Sequence, residues 1–330
     1  VTPGARTIVV VGDVMVDVLA PLTRPLLIDA DNPAVIRRML GGQAANTAAW
    51  IAAVDTANEA APVHLVAAVG DDPQAGWVAE QLDHVGVGHT LLPAPAPTGE
   101  CIVITSPDRG RTMVPSSGAN AQIGSTPAQR HVQDLLASGA GHLHISGYLL
   151  LHDANLVGRL IDSARSHGAT TSIDTPAVDD ARTWRGSHDE AWADAPSPGL
   201  TQVDVLLGTA PEISYWLGCG IDKQGSSPAW ELGALLLDQR SRRVLPGTVV
   251  IKAGSDGAVL VTDQLTDILP TPATVVDTTG AGDAFSAGFL AALASGKTPE
   301  HAANKASALA ARAVGTLGGQ PPTREGRHGD

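Results

Sequence analysis

A chain of 330 residues, 43% hydrophobic and 17% charged, can bury a large core, as one big α/β domain or a domain with an appendage. Its net charge of −13 argues against nucleic acid or an anionic membrane as the main partner, and no apolar run reaches transmembrane length. Cys101 and Cys219 fit no metal spacing and are too few for a disulfide framework, which points to a reducing compartment.

The chain enters a strand almost at once, with no signal-peptide pattern ahead of it, so a cytoplasmic location is expected. Apolar, β-branched runs at 8–11, 63–69, 142–145, 170–173, 203–207, 248–251 and 258–261 predict strands. Alanine-rich stretches at 43–54, 77–85, 128–138, 155–167, 211–217, 230–238, 282–294 and 299–314 predict helices. Continuous apolar strands alternating with helices imply a mostly parallel sheet covered on both faces, a three-layer α/β/α arrangement. Two excursions break the rhythm, 14–40 and 97–115, with short β-prone pieces, prolines and arginines (Arg24, Arg37, Arg38, Arg109, Arg111). They are expected to pair into a small β lid on a main domain made of 1–13, 41–96 and 116–322. Residues 186–199 read as a surface loop and 323–330 as a tail.

The stretch from Asp277 to Gly288 is a polar, glycine-rich turn opening into a helix. Gly280 and Gly282 allow close backbone approach, and the free N–H groups of a first helical turn attract anions. Asp283 would repel an anion there unless it has work to do, such as taking a proton from a hydroxyl. Gly12-Asp13-Val14-Met15-Val16-Asp17 ends the first strand with two acids, a placement that suits polar ligands such as sugar hydroxyls as well as a simple turn. Gly41-Gly42-Gln43-Ala44-Ala45-Asn46 opens a helix with a glycine pair, and Lys252-Ala253-Gly254-Ser255-Asp256-Gly257 reads as a hairpin turn. There is no P-loop, so a helix N-terminus would have to receive any phosphate.

Together and in this order, these motifs resemble the ribokinase/PfkB family of carbohydrate kinases. The stretch from Asp277 to Gly288 is similar to the family's C-terminal signature almost residue for residue. The resemblance implies a ribokinase-like fold and ATP-dependent phosphorylation of a small sugar or sugar acid. It implies Asp283 as base, with Gly280, Ala281 and Gly282 as the anion hole. Asp13, Asp17, Gly41, Gly42 and Asn46 would hold the sugar, and Lys252, Gly254, Gly257, Thr209 and Ser307 would line the nucleotide. Glu212 would act on Mg2+ through water, and Asp277, with carbonyls near Thr279 and 313–318, would bind a monovalent cation such as K+.

Two positions depart from the pattern. Thr209 stands where the family's Asn-x-x-Glu has asparagine, and His144-Ile145-Ser146-Gly147-Tyr148 stands where ribokinases carry a sugar-contacting glutamate. Competing readings are a nucleoside kinase, which would need an aromatic platform, and a phosphosugar kinase using Arg109 and Arg111. A non-catalytic sugar-binding regulator on the same fold is a further alternative, against which the intact Gly-Ala-Gly-Asp argues. A homodimer through the lid would cover its apolar face.

Overall fold

The computed structural model describes residues 6–54, 61–107, 110–177, 201–219, 227–240 and 244–322. The expected loop at 186–199, the tail and Arg109 lie outside them. In chain order the strands are β1 (Ile8–Val11), β2 (Met15–Pro21), β3 (Arg37–Gly41), β4 (Val63–Val69), β5 (Gly88–Pro93), β6 (Gly99–Ser106) and β7 (Gly110–Ser116). They continue as β8 (His142–Ser146), β9 (Thr170–Asp174), β10 (Val205–Thr209), β11 (Thr248–Lys252), β12 (Ala258–Val261) and β13 (Leu265–Ile268). The helices are α1 (Gln43–Ala53), α2 (Pro73–His84), α3 (Ser125–Ala137), α4 (Tyr148–His152), α5 (Ala154–Ser166), α6 (Ala210–Leu217), α7 (Pro228–Gln239), α8 (Ala281–Ala294) and α9 (Pro299–Ala313).

Nine strands form one sheet in the order β13-β12-β11-β10-β9-β8-β1-β4-β5, parallel from β11 to β5, with β12 and β13 added antiparallel at one edge. All four residues of β1 are buried, and they divide between two cores. Val9 and Val11 pack with α3, α5, α6 and α7, while Ile8 and Val10 pack with α1, α2, α8 and α9. A strand covered on both faces has no polar side to show, which is why its sequence does not alternate. Among the described residues no helix is long and apolar enough to cross a membrane.

The second sheet has the order β3-β2-β6-β7, with β2 parallel to β6 and the outer pairs antiparallel. It is built from the two predicted excursions and stands over the large sheet as a lid. Its inner face carries Leu19, Cys101 and Val103, which pack with Met15, Met39 and Leu317.

Four elements differ from expectation. α2 begins at Pro73 rather than 77, because the Asp72 carboxylate accepts from Ala75 N–H at 3.0 Å and caps it, with a proline in its first turn. β5 and β13 add strands at the sheet edges, where half-buried polar residues interrupt the apolar pattern. α4 is five residues long, too short for a helical period to show.

Candidate active site

β1 lies between β8 and β4, so the chain leaves it first to one side and later to the other. Ligands of open parallel sheets bind outside the carboxyl ends of the strands at such a switch point. Asp13 follows β1 there, and Ser146, Asp174, Thr209 and Lys252 are the last residues of β8, β9, β10 and β11.

α8 points its N-terminus into this crevice. Gly280 caps it at φ 72°, and a Cβ at that position would come within 2.6 Å of Gly319, so the turn needs glycine. Ala281 N–H turns back to Thr278 O at 3.3 Å. The N–H groups of Gly280, Gly282 and Asp283 meet no acceptor among the described residues, whereas that of Ala281 does. Asp283 accepts from Asn46 Nδ2 at 2.8 Å. Burial pushes its carboxyl up to about 7, with Asp174 and Asp13 adding to the rise while the Asn46 bond and Lys252 oppose it.

Asp174 is the acid that the sequence reading passed over. It is buried, accepts from Lys252 Nζ and from Ser286 Oγ, each at 2.6 Å, and so fixes a lysine beside the first turn of α8. Lys252 Nζ also donates to Gly282 O at 3.1 Å. The clue was available: Asp174 directly follows a predicted strand, as Asp13 nearly does.

On the lid side of the crevice, Asp17 lies on strand β2 and is 5% exposed, yet its carboxylate accepts no hydrogen bond among the described residues. Burial, and the neighbouring Asp13, push it up to about 7 against the pull of Arg111. A Cβ at Gly41 would lie 2.3 Å from that carboxylate, so Gly41 makes room for it. Asp13 has a different job from Asp17. Its two oxygens accept from Gln43 N–H at 2.8 Å and Ala44 N–H at 3.4 Å, capping α1 where Gly42 has no side chain to do so. Ser146 Oγ lies 2.6 Å from Asp13 Oδ1 and 2.7 Å from Gln43 Oε1, which ties β8 into the same knot. Asn46 is likewise engaged, between Asp283 and Gln320.

On the other side, Thr209 and Glu212 form a reciprocal capping box at the start of α6, with Thr209 N–H donating to Glu212 Oε2 at 2.8 Å. Thr175 Oγ1 donates to the same oxygen at 3.2 Å, which leaves Oε1 without a partner among the described residues. Burial and Asp174 raise the Glu212 carboxyl, against Thr209 and Lys252. Gly254 and Gly257 flank the turn of the β11–β12 hairpin, as the sequence suggested. Ser307 is not directed at that turn: it donates to Leu269 O at 3.1 Å and accepts from Thr271 N–H at 2.9 Å, pinning α9 to the segment after β13.

Asp277 spends its oxygens on Thr279 N–H at 2.9 Å, Thr279 Oγ1 at 2.7 Å and Gly318 N–H at 2.9 Å. Burial alone would raise it, but these donors and the Arg111 charge hold it below the usual carboxylate range. Arg111 reaches down from β7 and donates to Thr279 Oγ1 at 2.7 Å, joining the lid to the loop before α8.

Sequence relatives and solved structures of the same fold bear on the site. The chain is 26% identical to an ATP-dependent ribose-1-phosphate kinase of Halopiger xanaduensis over 88% of its own length and 86% of that kinase. It is 28% identical to a nucleoside kinase of Methanothermobacter thermautotrophicus over 88% of its length and 84% of the relative. The structure of Arabidopsis thaliana ribokinase complexed with ribose and ATP superposes with a TM-score of 0.74 at 24% identity, covering 95% of this chain and 94% of the other. The Giardia lamblia ribokinase structure gives 0.77 at 18% identity, with 97% and 98% covered. The model of the pfkB family of carbohydrate kinases matches residues 5–325, and the chain belongs to that family.

Proposed function

We propose that the protein transfers the terminal phosphoryl group of ATP to a hydroxyl of a small sugar or sugar acid. One observation carries this reading: the Asp283 carboxylate, raised to about 7, stands in the first turn of a helix where the N–H groups of Gly280, Gly282 and Asp283 have no acceptor among the described residues. A carboxylate of that basicity takes the proton from the acceptor hydroxyl. The oxygen then attacks the γ-phosphorus, the bond to the β-phosphate breaks, and ADP leaves. The N–H groups of Gly280, Gly282 and Asp283 bear the charge that spreads over the transferring phosphoryl oxygens. The unpartnered Asp17 receives sugar hydroxyls from the lid side.

Magnesium would arrive with the nucleotide and neutralise phosphate charge. Glu212 fits a water-mediated role toward it, since Oε1 is left over from the capping box. Asp277 fits a direct K+ ligand poorly, because three donors already occupy it, so loop carbonyls would have to hold such an ion. The outer lid face exposes Ile102 and Val114, and a second copy would cover them in a dimer detectable by light scattering. We place the reaction in the cytoplasm, where ATP is supplied.

Arg111 favours a second reading, a phosphosugar acceptor, because its guanidinium stands within the field of both Asp17 and Asp277 and could turn to an anion. A panel of free sugars, sugar acids, nucleosides and sugar phosphates with ADP detection separates the acceptors. Asp283→Asn should leave fold and nucleotide affinity nearly intact and lower turnover by ~10²–10⁴-fold. Turnover within a few-fold of the parent would overturn the assignment of the base.

A further inference from the structure

We infer that Gln320 is a positioning residue for the base, holding the Asn46 amide so that it in turn fixes the Asp283 carboxylate. This rests on the reading of Asp283 as base. Gln320 Nε2 donates to Asn46 Oδ1 at 2.6 Å, and Asn46 Nδ2 donates to Asp283 Oδ2 at 2.8 Å.

The polarity of this relay is set from its far end. An ionised carboxylate only accepts, so Asn46 must show it the amide nitrogen and keep the carbonyl for Gln320. Gln320 must then present its own NH2. The consequence is visible in its other atom: Gln320 Oε1 is buried with no hydrogen-bond partner. A buried amide that leaves its carbonyl unsatisfied carries a cost, and the bond to Asn46 is what fixes it in that orientation.

The backbone before it is equally constrained. Trp50 Nε1 donates to Gly319 O at 2.8 Å, fastening the segment to α1. A Cβ at Gly319 would lie 2.6 Å from Asn46 Nδ2, so the segment lies directly on the amide and, through Gly280, on the turn before α8. Gln320 therefore bonds Asn46 rather than Asp283 itself, and acts on the base through a group that bonds it.

The charges facing Asp283 come from other elements: Asp174 on β9, Lys252 on β11 and Asp13 after β1. None of them is bonded to Gln320, so a substitution there leaves them in place. Donation from Asn46 stabilises the ionised base, and its loosening raises the pH at which the base is protonated.

Gln320→Met keeps the length of the side chain and removes the donor. Turnover should fall about tenfold, the loss expected from one hydrogen bond, and the acid limb of the pH profile should move to higher pH, so that raising the pH restores activity. In an Asn46→Ala background the same substitution should cost little more, because the two residues act in series. Should Met impair folding, Gln320→Glu carries the same expectation, since its carboxylate cannot donate to Asn46. A parent-like pH profile, or equal losses with and without Asn46, would overturn the inference. If Asp283→Asn keeps its turnover, it is the base assignment that fails; if Asp283→Asn is inactive while Gln320→Met is unaffected, only the relay fails.

Discussion

Asp17 and Asp283 are both pushed up to about 7, chiefly by burial, and both face the crevice. Their protons have consequences for stability as well as chemistry. Between about pH 4 and pH 7 the folded chain holds protons that the unfolded chain has released, so stability falls as pH rises across that window, by on the order of 1.4 kcal/mol per pH unit per group. Asp17→Asn removes one of these groups. It should raise the melting temperature at pH 8 and change it little at pH 4, as a calorimetric scan at the two pH values would show. The same variant should weaken sugar binding by about 1.5–3 kcal/mol per lost charge-assisted hydrogen bond and leave ATP binding alone. A variant that gains stability and loses ligand is the expected mark of a carboxylate kept unpartnered for function. If titration calorimetry found ATP weakened instead, Asp17 would belong to the other half of the cleft.

At the scale of elements, the helix starts carry much of the site. α6 shows why Thr209 can stand where the family motif has asparagine: Thr-x-x-Glu is itself a capping box, and its bonds are formed. Thr209→Ala should therefore cost about 0.5–2 kcal/mol, whereas Thr209→Asn, a good cap, should cost almost nothing in urea unfolding. Equal destabilisation by both would mean that the box contributes little. The starts of α1, α6, α8 and α9 were legible to within a residue, whereas that of α2, capped by Asp72, was read four residues late. The buried strands were legible because a run such as Ile8-Val9-Val10-Val11 has no other stable home. What escaped was short, as with α4, at a sheet edge with a broken apolar pattern, as with β5 and β13, or distant. Nothing near Gln320 says that it meets Asn46, 274 residues earlier, because that contact exists only once α1 and the loop after α9 are folded against each other. Asp13 shows the converse. Its position at a strand end was legible, but its use as the cap of α1 depends on how that helix leaves the lid.

Over the whole molecule, the lid is joined to the rest of the chain by apolar packing and by hydrogen bonds: Val16 and Leu40 share a core with α1 and α2, Gln74 Nε2 donates to Glu100 Oε1 at 3.2 Å, and the Asn120 side chain bonds both backbone groups of Val14. Leu317 packs with Met15 and Met39 against the inner lid face, close under Gly318, where a Cβ would lie 2.5 Å from Met39 Cε. Arg111 adds a polar contact to the loop before α8, bonded to Thr279 Oγ1 at 2.7 Å. Gly41 ends the lid strand β3, and Gly42, at φ 96°, is the N-cap of α1, so at this crossing the chain passes between lid and main sheet through a joint made of two glycines. A glycine joint at one crossing makes a lid that ligands can bias. Sugar hydroxyls on Asp17 would add bonds that only the closed lid makes, and closure would exclude water before transfer. Hydrogen exchange should then slow in 14–40, 97–115 and around Gly41 and Gly42 when sugar and a non-hydrolysable ATP analogue are bound, while β1, β8 and β10 stay unchanged. Arg111→Ala should speed exchange of the lid in the free protein and raise the ratio of ATP hydrolysis to sugar phosphorylation, since a loosened lid admits water. Equal lid exchange with and without saturating ligands would mean that the lid does not gate the site.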